Sequence, residues 1–417
     1  MSSDAPLNPA LAIELLEKLR ELTGDANGAQ RVAWTPTWLK ARDWFQSLLT
    51  DLPVEHHLDA AGNSWTTLQG ISDRTLILGS HLDSVPNGGW LDGSLGVIAS
   101  YVVLRHINER YNGKPPITIR VVDWADEEGA RFGRSLFGSS AFAGTHTIMA
   151  DRARIDATGI ELQHAIADCG IAIENIGKAQ QEQENAHAYL ELHIEQGPVL
   201  ERIALPLAVV LGTKGVERHS ITFHGQEAHS GSTPMSARHD ALAAAARLVL
   251  EIRPIAQKHA DAVCTMGSVK TFPGIVTAVV GRCEATLDQR DLDVKVLAQM
   301  YREAQEKSEQ FASQEGCTVS WSRIWNIEPV PFHPTLIDLC DQAIVETVGQ
   351  SHRMPSGPLH DAAEVARAGI PTVMMFVQSL HGISHNKIED TRKEHLESAV
   401  IAFDKLAAKT MEWIANP

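Results

Sequence analysis

Apolar positions along the chain follow first a helical period and then a mixture of short runs and strict alternation. Asn8–Pro9 offers an N-cap and a first-turn proline, and Leu11, Leu15, Leu19 and Leu22 follow at helical spacing until Gly24 closes the run. Thr35–Pro36 opens a second predicted helix through Trp38, Trp44, Phe45 and Leu48, whose aromatics read as core. A turn at Ala61–Gly62–Asn63 leads to Leu76–Ile77–Leu78, a short apolar run with the length and flanks of a buried strand. Val97 through Leu104 to Ile107 is helical again, and ends at Asn112–Gly113 and Pro115–Pro116. Ile117–Thr118–Ile119–Arg120–Val121–Val122 is the next strand. Strand, helix, strand is a βαβ unit, which predicts a parallel sheet with sites at the carboxyl ends of its strands.

The segment His187 to Gly197 alternates, with Ala188, Leu190, Leu192 and Ile194 on one face and Tyr189, Glu191, His193 and Glu195 on the other. It predicts a strand with one wet face, although a histidine beside Gln196–Gly197–Pro198 fits a ligand position equally well. From Thr213 to Trp325 the pattern changes. Strand Ser220–Phe223, helix Ser236–Ile252, strands Ala262–Val269 and Arg282–Leu287, helix Leu292–Ala312 and strand Thr318–Ile324 spell βαββαβ, a ferredoxin-like module. Gly212–Thr213–Lys214 and the proline-bearing Glu328–Pro329–Val330–Pro331 bound it. The expectation is a domain of residues 213–327 inserted into a larger one of residues 1–212 and 328–417. The larger domain resumes with helices Thr335–Val348 and Ala362–Ala368, strand Thr372–Phe376 and a last helix Glu394–Ile414.

A length of 417 residues makes two or three domains the natural expectation, and 44% hydrophobic with 21% charged residues is the composition of a folded soluble protein. The net charge of −16 argues against a nucleic-acid or anionic-membrane partner, so an anionic ligand needs local cations to hold it. Cys169, Cys264, Cys283, Cys317 and Cys340 are odd in number, widely spaced and without a CxxC pair. They read as reduced thiols of a cytoplasmic protein. The start, MSSDAPLNPA, lacks a secretory pattern, and no apolar run approaches a membrane span.

Candidate chemistry is concentrated past the predicted strands. After Leu76–Leu78 come His81, Asp83 and, beyond a loop with Gly88 and Gly89, Asp92. His81 and Asp92 suit a divalent ion such as zinc, and Asp83 has the spacing to fix the imidazole tautomer of His81. Alone, His-x-Asp favours a solvated strand-to-helix loop, since so short a motif often occurs without a site. But Asp126–Glu127–Glu128 follows the next strand, His193 ends the alternating one, and His385 precedes the last helix. Two closely spaced ions need several ligands and a bridging carboxylate, and Asp92, in its glycine-bounded loop near His81, is the choice for the bridge. Glu127 and Glu128 suit divided labour, one on metal and the other within reach of an acidified water as general base.

The stretches GSHLDSVPNGGWLDGSLGV, DEEGARFG, LELHIEQGPVLE, GQEAHSGSTPM and GISHNKIEDT together resemble the di-metal amidohydrolases related to aminoacylases and carboxypeptidase G2. The likeness spans essentially the whole chain. It is narrowest to the branch of N-carbamoyl-L-amino-acid hydrolases, allantoate amidohydrolases and β-ureidopropionases. HIEQGP is the discriminating piece, because peptidase relatives typically carry an acidic ligand where this branch has its histidine. The resemblance implies a mixed-sheet α/β/α catalytic domain carrying two divalent ions, zinc by preference, with manganese, cobalt or nickel also accepted. It implies His81, Asp92 and His193 on one ion, and Asp92, Glu128 and His385 on the other. Glu127 is then the general base, and Asp83 the support of His81. It further implies a homodimer through the inserted domain, His229 polarising the scissile carbonyl, Arg290 gripping a substrate carboxylate as a bidentate fork, and Gln196 contacting the ureido group.

Two departures stand out. Thr277 replaces the family's usual carboxylate-binding asparagine, and Lys387 replaces a proline after His385. The activity implied is hydrolysis of a linear amide C–N bond, releasing L-amino acid, ammonia and carbon dioxide from an N-carbamoyl-L-amino acid. The alternatives are allantoate, ureidoglycolate or N-carbamoyl-β-alanine as substrate, or an aminoacylase or dipeptidase of the same fold. A non-catalytic binding protein is disfavoured, since neither Glu127 nor any ligand is lost.

Overall fold

A computed structural model describes residues 6–416; the first residues of MSSDAPLNPA, read above for a leader, lie outside them. The chain divides into two compact units, one ending at Leu211 and resuming at Phe332, the other spanning Gly212–Pro331.

The larger unit opens with helices α1 (Ala10–Thr23) and α2 (Pro36–Ser47), the latter capped by the Thr35 hydroxyl, which accepts from the Trp38 N–H at 3.4 Å. Its sheet contains β1 (Glu55–Leu58), β2 (Ser64–Leu68), β3 (Ser72–His81), β4 (Ile117–Trp124), β5 (Ala186–Ile194), β6 (Leu207–Thr213) and β7 (Thr372–Val377). These lie in the order β6–β7–β5–β3–β4–β2–β1. The four central strands, β7, β5, β3 and β4, run parallel, with Leu78 opposite both Val121 and Leu190. β2 and β6 flank them antiparallel. Helix α3 (Ser94–Arg110) makes the crossover from β3 to β4. Every residue of its first eleven, Ser94 to Leu104, is buried, as expected of a helix apolar on all sides. Helices α4 (Pro334–Val348), α5 (Asp361–Arg367) and α6 (Lys393–Ala415) complete the layers.

The wet face expected of β5 does not exist. Tyr189, Glu191, His193 and Glu195 are 0–4% exposed, as deeply buried as Leu190 and Leu192. β5 is a central parallel strand between β3 and β7, overlaid by α3, α5 and α6, and such strands meet water on neither face. Its polar side chains are therefore paired inside. The Trp124 indole donates to the Tyr189 hydroxyl at 3.0 Å, which lies 3.1 Å from Glu191.

The second unit is a four-stranded antiparallel sheet in the order Val263–Phe272, Arg282–Asp291, Gly215–His224, Thr318–Ile327. Helices Ala241–Gln257 and Val294–Gln314 cover it around Ile221, Phe223, Leu248, Leu287 and Met300. The first helix starts five residues later than its apolar pattern indicated. Asp240 supplies the cap, accepting from the N–H groups of Leu242 and Ala243, while 235–237 form a separate 3-10 turn. Among the described residues, no helix is long and apolar enough to cross a membrane.

Candidate metal centre

Parallel pairing puts the carboxyl ends of β3, β4, β5 and β7 side by side, and those ends carry the chemistry. His81 is the last residue of β3 and His193 the penultimate residue of β5; the acidic triplet begins two residues after β4 and His385 eight after β7. Seven of the residues picked from the sequence converge here: His81, Asp83, Asp92, Glu127, Glu128, His193 and His385.

Asp92 stands at the centre. Its Oδ1 lies 3.1 Å from His193 Nε2 and 3.9 Å from His81 Nε2, and its Oδ2 lies 3.2 Å from His385 Nε2. Glu128 Oε2 is 3.3 Å from that same His385 nitrogen. Two groups thus have the spacing to hold a cation, His81–Asp92–His193 and Asp92–Glu128–His385, and they share Asp92 with one oxygen directed to each. Gly93 makes the approach possible. Its φ is +63°, and a Cβ there would fall 2.3 Å from the His81 ring.

The imidazoles are oriented by acceptors. His81 Nδ1 pairs with the carbonyl oxygen of Asp83 at 3.1 Å, and His193 Nδ1 with that of Ile194 at 2.9 Å. A carbonyl only accepts, so both Nδ1 atoms carry hydrogen, and in the neutral rings both Nε2 atoms offer lone pairs. His193 Nε2 is buried with no hydrogen-bond donor or acceptor geometry satisfied, while a carboxylate oxygen faces it at 3.1 Å. A lone pair opposite a carboxylate is unfavourable unless a proton or a metal cation sits between them, and two imidazoles with a carboxylate are a donor set that fits a divalent ion.

The electrostatics agree. Burial disfavours the imidazolium of His81, yet Glu127, Asp83 and Asp92 more than offset it and raise the group well above its usual range. Burial and Asp92 push Glu128 up to about 7, and the hydrogen bond to Asp92 lifts His385 to about 9. Burial likewise raises Glu127 well above a normal carboxyl, partly countered by His81. Despite its burial, the same histidines hold Asp92 well below the usual carboxylate range, so protons gather on the groups around a charged central carboxylate, at positions other cations could take.

Asp83 meets His81 Nδ1 through its carbonyl at 3.1 Å and, more distantly, through carboxylate Oδ1 at 3.5 Å; its carboxylate oxygens also accept the N–H groups of Glu127 and Glu128, each at 3.2 Å. The acidic pair is aimed from behind by Asp126, which sits at φ +56° and accepts the Trp34 indole N–H at 2.7 Å. The turn this creates lets two consecutive glutamates diverge: Glu127 Oε2 lies 3.7 Å from His81 Nε2 while Glu128 reaches His385. Gln196 joins the same cluster. Its amide nitrogen is 2.9 Å from Asp92 Oδ2, and its Oε1 is buried without a partner, an acceptor left for a ligand.

Sequence reasoning missed several supports. Arg31, fully buried, donates to the Leu82 carbonyl at 2.8 Å and to the Ser94 hydroxyl at 2.6 Å, so it ties the His81 loop to the Asp92 loop. Burial lowers it only to about 10, which leaves it charged at neutral pH. Glu389 accepts the N–H groups of Leu91 and Asp92, both at 3.1 Å. It lies inside GISHNKIEDT, four residues after His385, and that position was the only signal for it. A third grouping, Glu191–His193–His360, also has ligand spacing. The Glu191 oxygens are already taken by Ser80, Tyr189 and the Ala362 N–H, and His360 Nε2 by Ser356, so it is the poorer seat.

His229, Thr277 and Arg290 belong to the inserted unit. The structure brings the first two together, since Ala228–His229 pairs with Ala278–Val279 and the Ser230 N–H donates to the Thr277 carbonyl at 2.9 Å. His229 is exposed, and its Nδ1 accepts from the Gly231 N–H. Arg290 turns its fork onto Asp288, with contacts of 2.8 and 3.3 Å.

Residues 77–409 match the family described as Peptidase family M20/M25/M40. The chain is 35% identical over 371 residues to an N-carbamoyl-L-amino acid amidohydrolase of Geobacillus stearothermophilus, covering 88% of this chain and 90% of that one. It is 31% identical over 383 residues to an allantoate amidohydrolase of Escherichia coli, covering 90% and 91%. A crystal structure of an amidase of the hydantoinase/carbamoylase family from Burkholderia multivorans superposes with a TM-score of 0.83 at 30% identity, over 99% of this chain and 98% of that one. A match of this extent, over a cluster of ligands shared through one carboxylate, makes this chain a member of the M20/M25/M40 peptidase family.

Proposed function

We propose that the protein is a two-metal amidohydrolase that cleaves the carbamoyl C–N bond of N-carbamoyl-L-amino acids. The observation that carries the reading is Asp92, whose two carboxylate oxygens face two separate ligand groups. The named activities of the relatives, carbamoyl and allantoate amide hydrolysis, supply the bond class. His81, Asp92 and His193 would hold one divalent ion, and Asp92, Glu128 and His385 the other. Such ions supply Lewis acidity and bring water within reach of a carboxylate base at neutral pH.

The rest is done by the chain itself. Glu127 Oε2, fixed beside His81 by the Asp83–N–H contact, takes the proton of the attacking water and returns it to the leaving nitrogen. Gln196 Oε1 accepts from the ureido N–H, for which its unpartnered state leaves it open. His229 donates to the developing oxyanion, and Arg290 exchanges Asp288 for the substrate carboxylate, aided by Thr277. The inserted unit provides the dimer contact in this reading. The five cysteines, none in a disulfide, support a reducing, cytoplasmic setting.

Product release is the test on metal-reconstituted enzyme, read as ammonia from N-carbamoyl-L-amino acids, N-carbamoyl-β-alanine and allantoate and as free amino acid from N-acetyl-L-amino acids. The first class is expected to give the highest kcat/KM. Preference for allantoate or N-carbamoyl-β-alanine would move the substrate within the ureido acids. Turnover of N-acetyl amino acids alone would contradict the reading.

A further inference from the structure

His385 reaches the centre from a loop after β7, itself half exposed and at φ +53°, whereas Asp92 comes from the β3–α3 connection, remote in sequence. Nothing in either loop alone fixes their separation. One buried side chain spans both. Glu389, 2% exposed, belongs to the His385 loop, and its Oε1 accepts the peptide N–H groups of both Leu91 and Asp92 at 3.1 Å. Its Oε2 lies 2.9 Å from the hydroxyl of Ser384, which also stands 3.0 Å from Asp92 Oδ2. The backbone and the side chain of Asp92 are therefore both held by the segment that carries His385. The opposing loop is shaped for this contact: a Cβ on Gly89 would fall 1.9 Å from Glu389 Oε1.

We infer that Glu389 is a positioning residue that sets the spacing of Asp92 and His385, so that occupancy of the Asp92–Glu128–His385 site depends on it although it binds no metal. This rests on the two-metal reading above. The tie works through hydrogen bonds. In Glu389→Gln the amide oxygen still accepts from Leu91 and Asp92, and the amide nitrogen donates to Ser384 Oγ, which frees the Ser384 proton for Asp92. In Glu389→Ala all three contacts are lost. Gly89→Ala reaches the same end without touching Glu389's identity, because the added methyl displaces the carboxylate.

The experiment equilibrates stripped wild type and variants with chelator-buffered zinc and counts ions per chain against free zinc. Wild type and Glu389→Gln are expected to bind two ions alike. Glu389→Ala and Gly89→Ala should keep the tighter ion and bind the second about tenfold to hundredfold more weakly. Combining the two should cost no more than Glu389→Ala alone, since both remove the same set of contacts. Wild-type binding of both ions by Glu389→Ala would overturn the inference, as would additive losses in the double variant or a Glu389→Gln as weak as Glu389→Ala. Equal weakening of both ions would indicate a merely structural loss and overturn it too. Wild type saturating at one ion would contradict the two-metal reading itself, an outcome distinguishable from all the others.

Discussion

At the scale of single residues, the proposed chemistry rests on a division of labour between Glu127 and Glu128. The two are neighbours in sequence, yet the left-handed turn at Asp126 and the Asp83 carboxylate send one towards His81 and the other towards His385. Glu127→Gln keeps the shape and removes the base, so kcat is expected to fall about a hundredfold to ten-thousandfold with two ions still bound. Steady-state kinetics beside metal analysis checks it; near-normal turnover would assign the proton transfer elsewhere. That these side chains come together was legible in sequence, because ligands and bases are particular side chains just past strand ends. Arg31 and Glu389 were not legible, because they act on backbone groups of other loops, and any segment folded close enough could have supplied those contacts. The carboxylate of Asp83 illustrates the same limit. Its spacing pointed to the His81 ring, which the carboxylate does approach, to 3.5 Å, but the carbonyl at 3.1 Å and the two amides that the carboxylate accepts were not legible.

At the scale of elements, period alone located most strands and helices but misread what surrounds them. The alternation in β5 was real, yet burial on both faces depends on β7, which lies 180 residues away in sequence, roughly, and on helices that pack only after the sheet forms. Residues 144–185 carry only short helices and 3-10 turns, whose patterns are too brief to show a period. That segment contains a pH-sensitive contact. His146 stacks edge-on against Phe137 with Asp151 at 3.3 Å and Arg134 close by. Burial lowers its pKa to about 4, with Asp151 opposing and Arg134 adding to the shift. Between pH 6.5 and 4 the unfolded chain therefore binds a proton that the folded one refuses, and stability falls as pH falls through that window. Replacing His146 by Gln should flatten the unfolding free energy there by roughly 1–3 kcal/mol relative to wild type. Denaturant unfolding across the window reads this directly; identical slopes in both proteins would exclude His146 as a contributor.

At the scale of the molecule, one unit carries the ligand cluster and the other carries His229, Thr277 and Arg290. The larger unit follows from a topological rule: four parallel strands align their carboxyl ends, and six charged or imidazole groups are delivered there from four separate segments. Carboxylates and histidines this closely placed would repel or trap protons unless cations neutralised them, which is the physical ground for the two-metal proposal. The measurement that tests this most directly is ammonia release from an N-carbamoyl-L-amino acid as zinc or manganese is added back to stripped enzyme in known equivalents. The account predicts negligible turnover without metal and activity that levels off only at two ions per chain. Full activity at one ion per chain, or in the stripped protein, would contradict it.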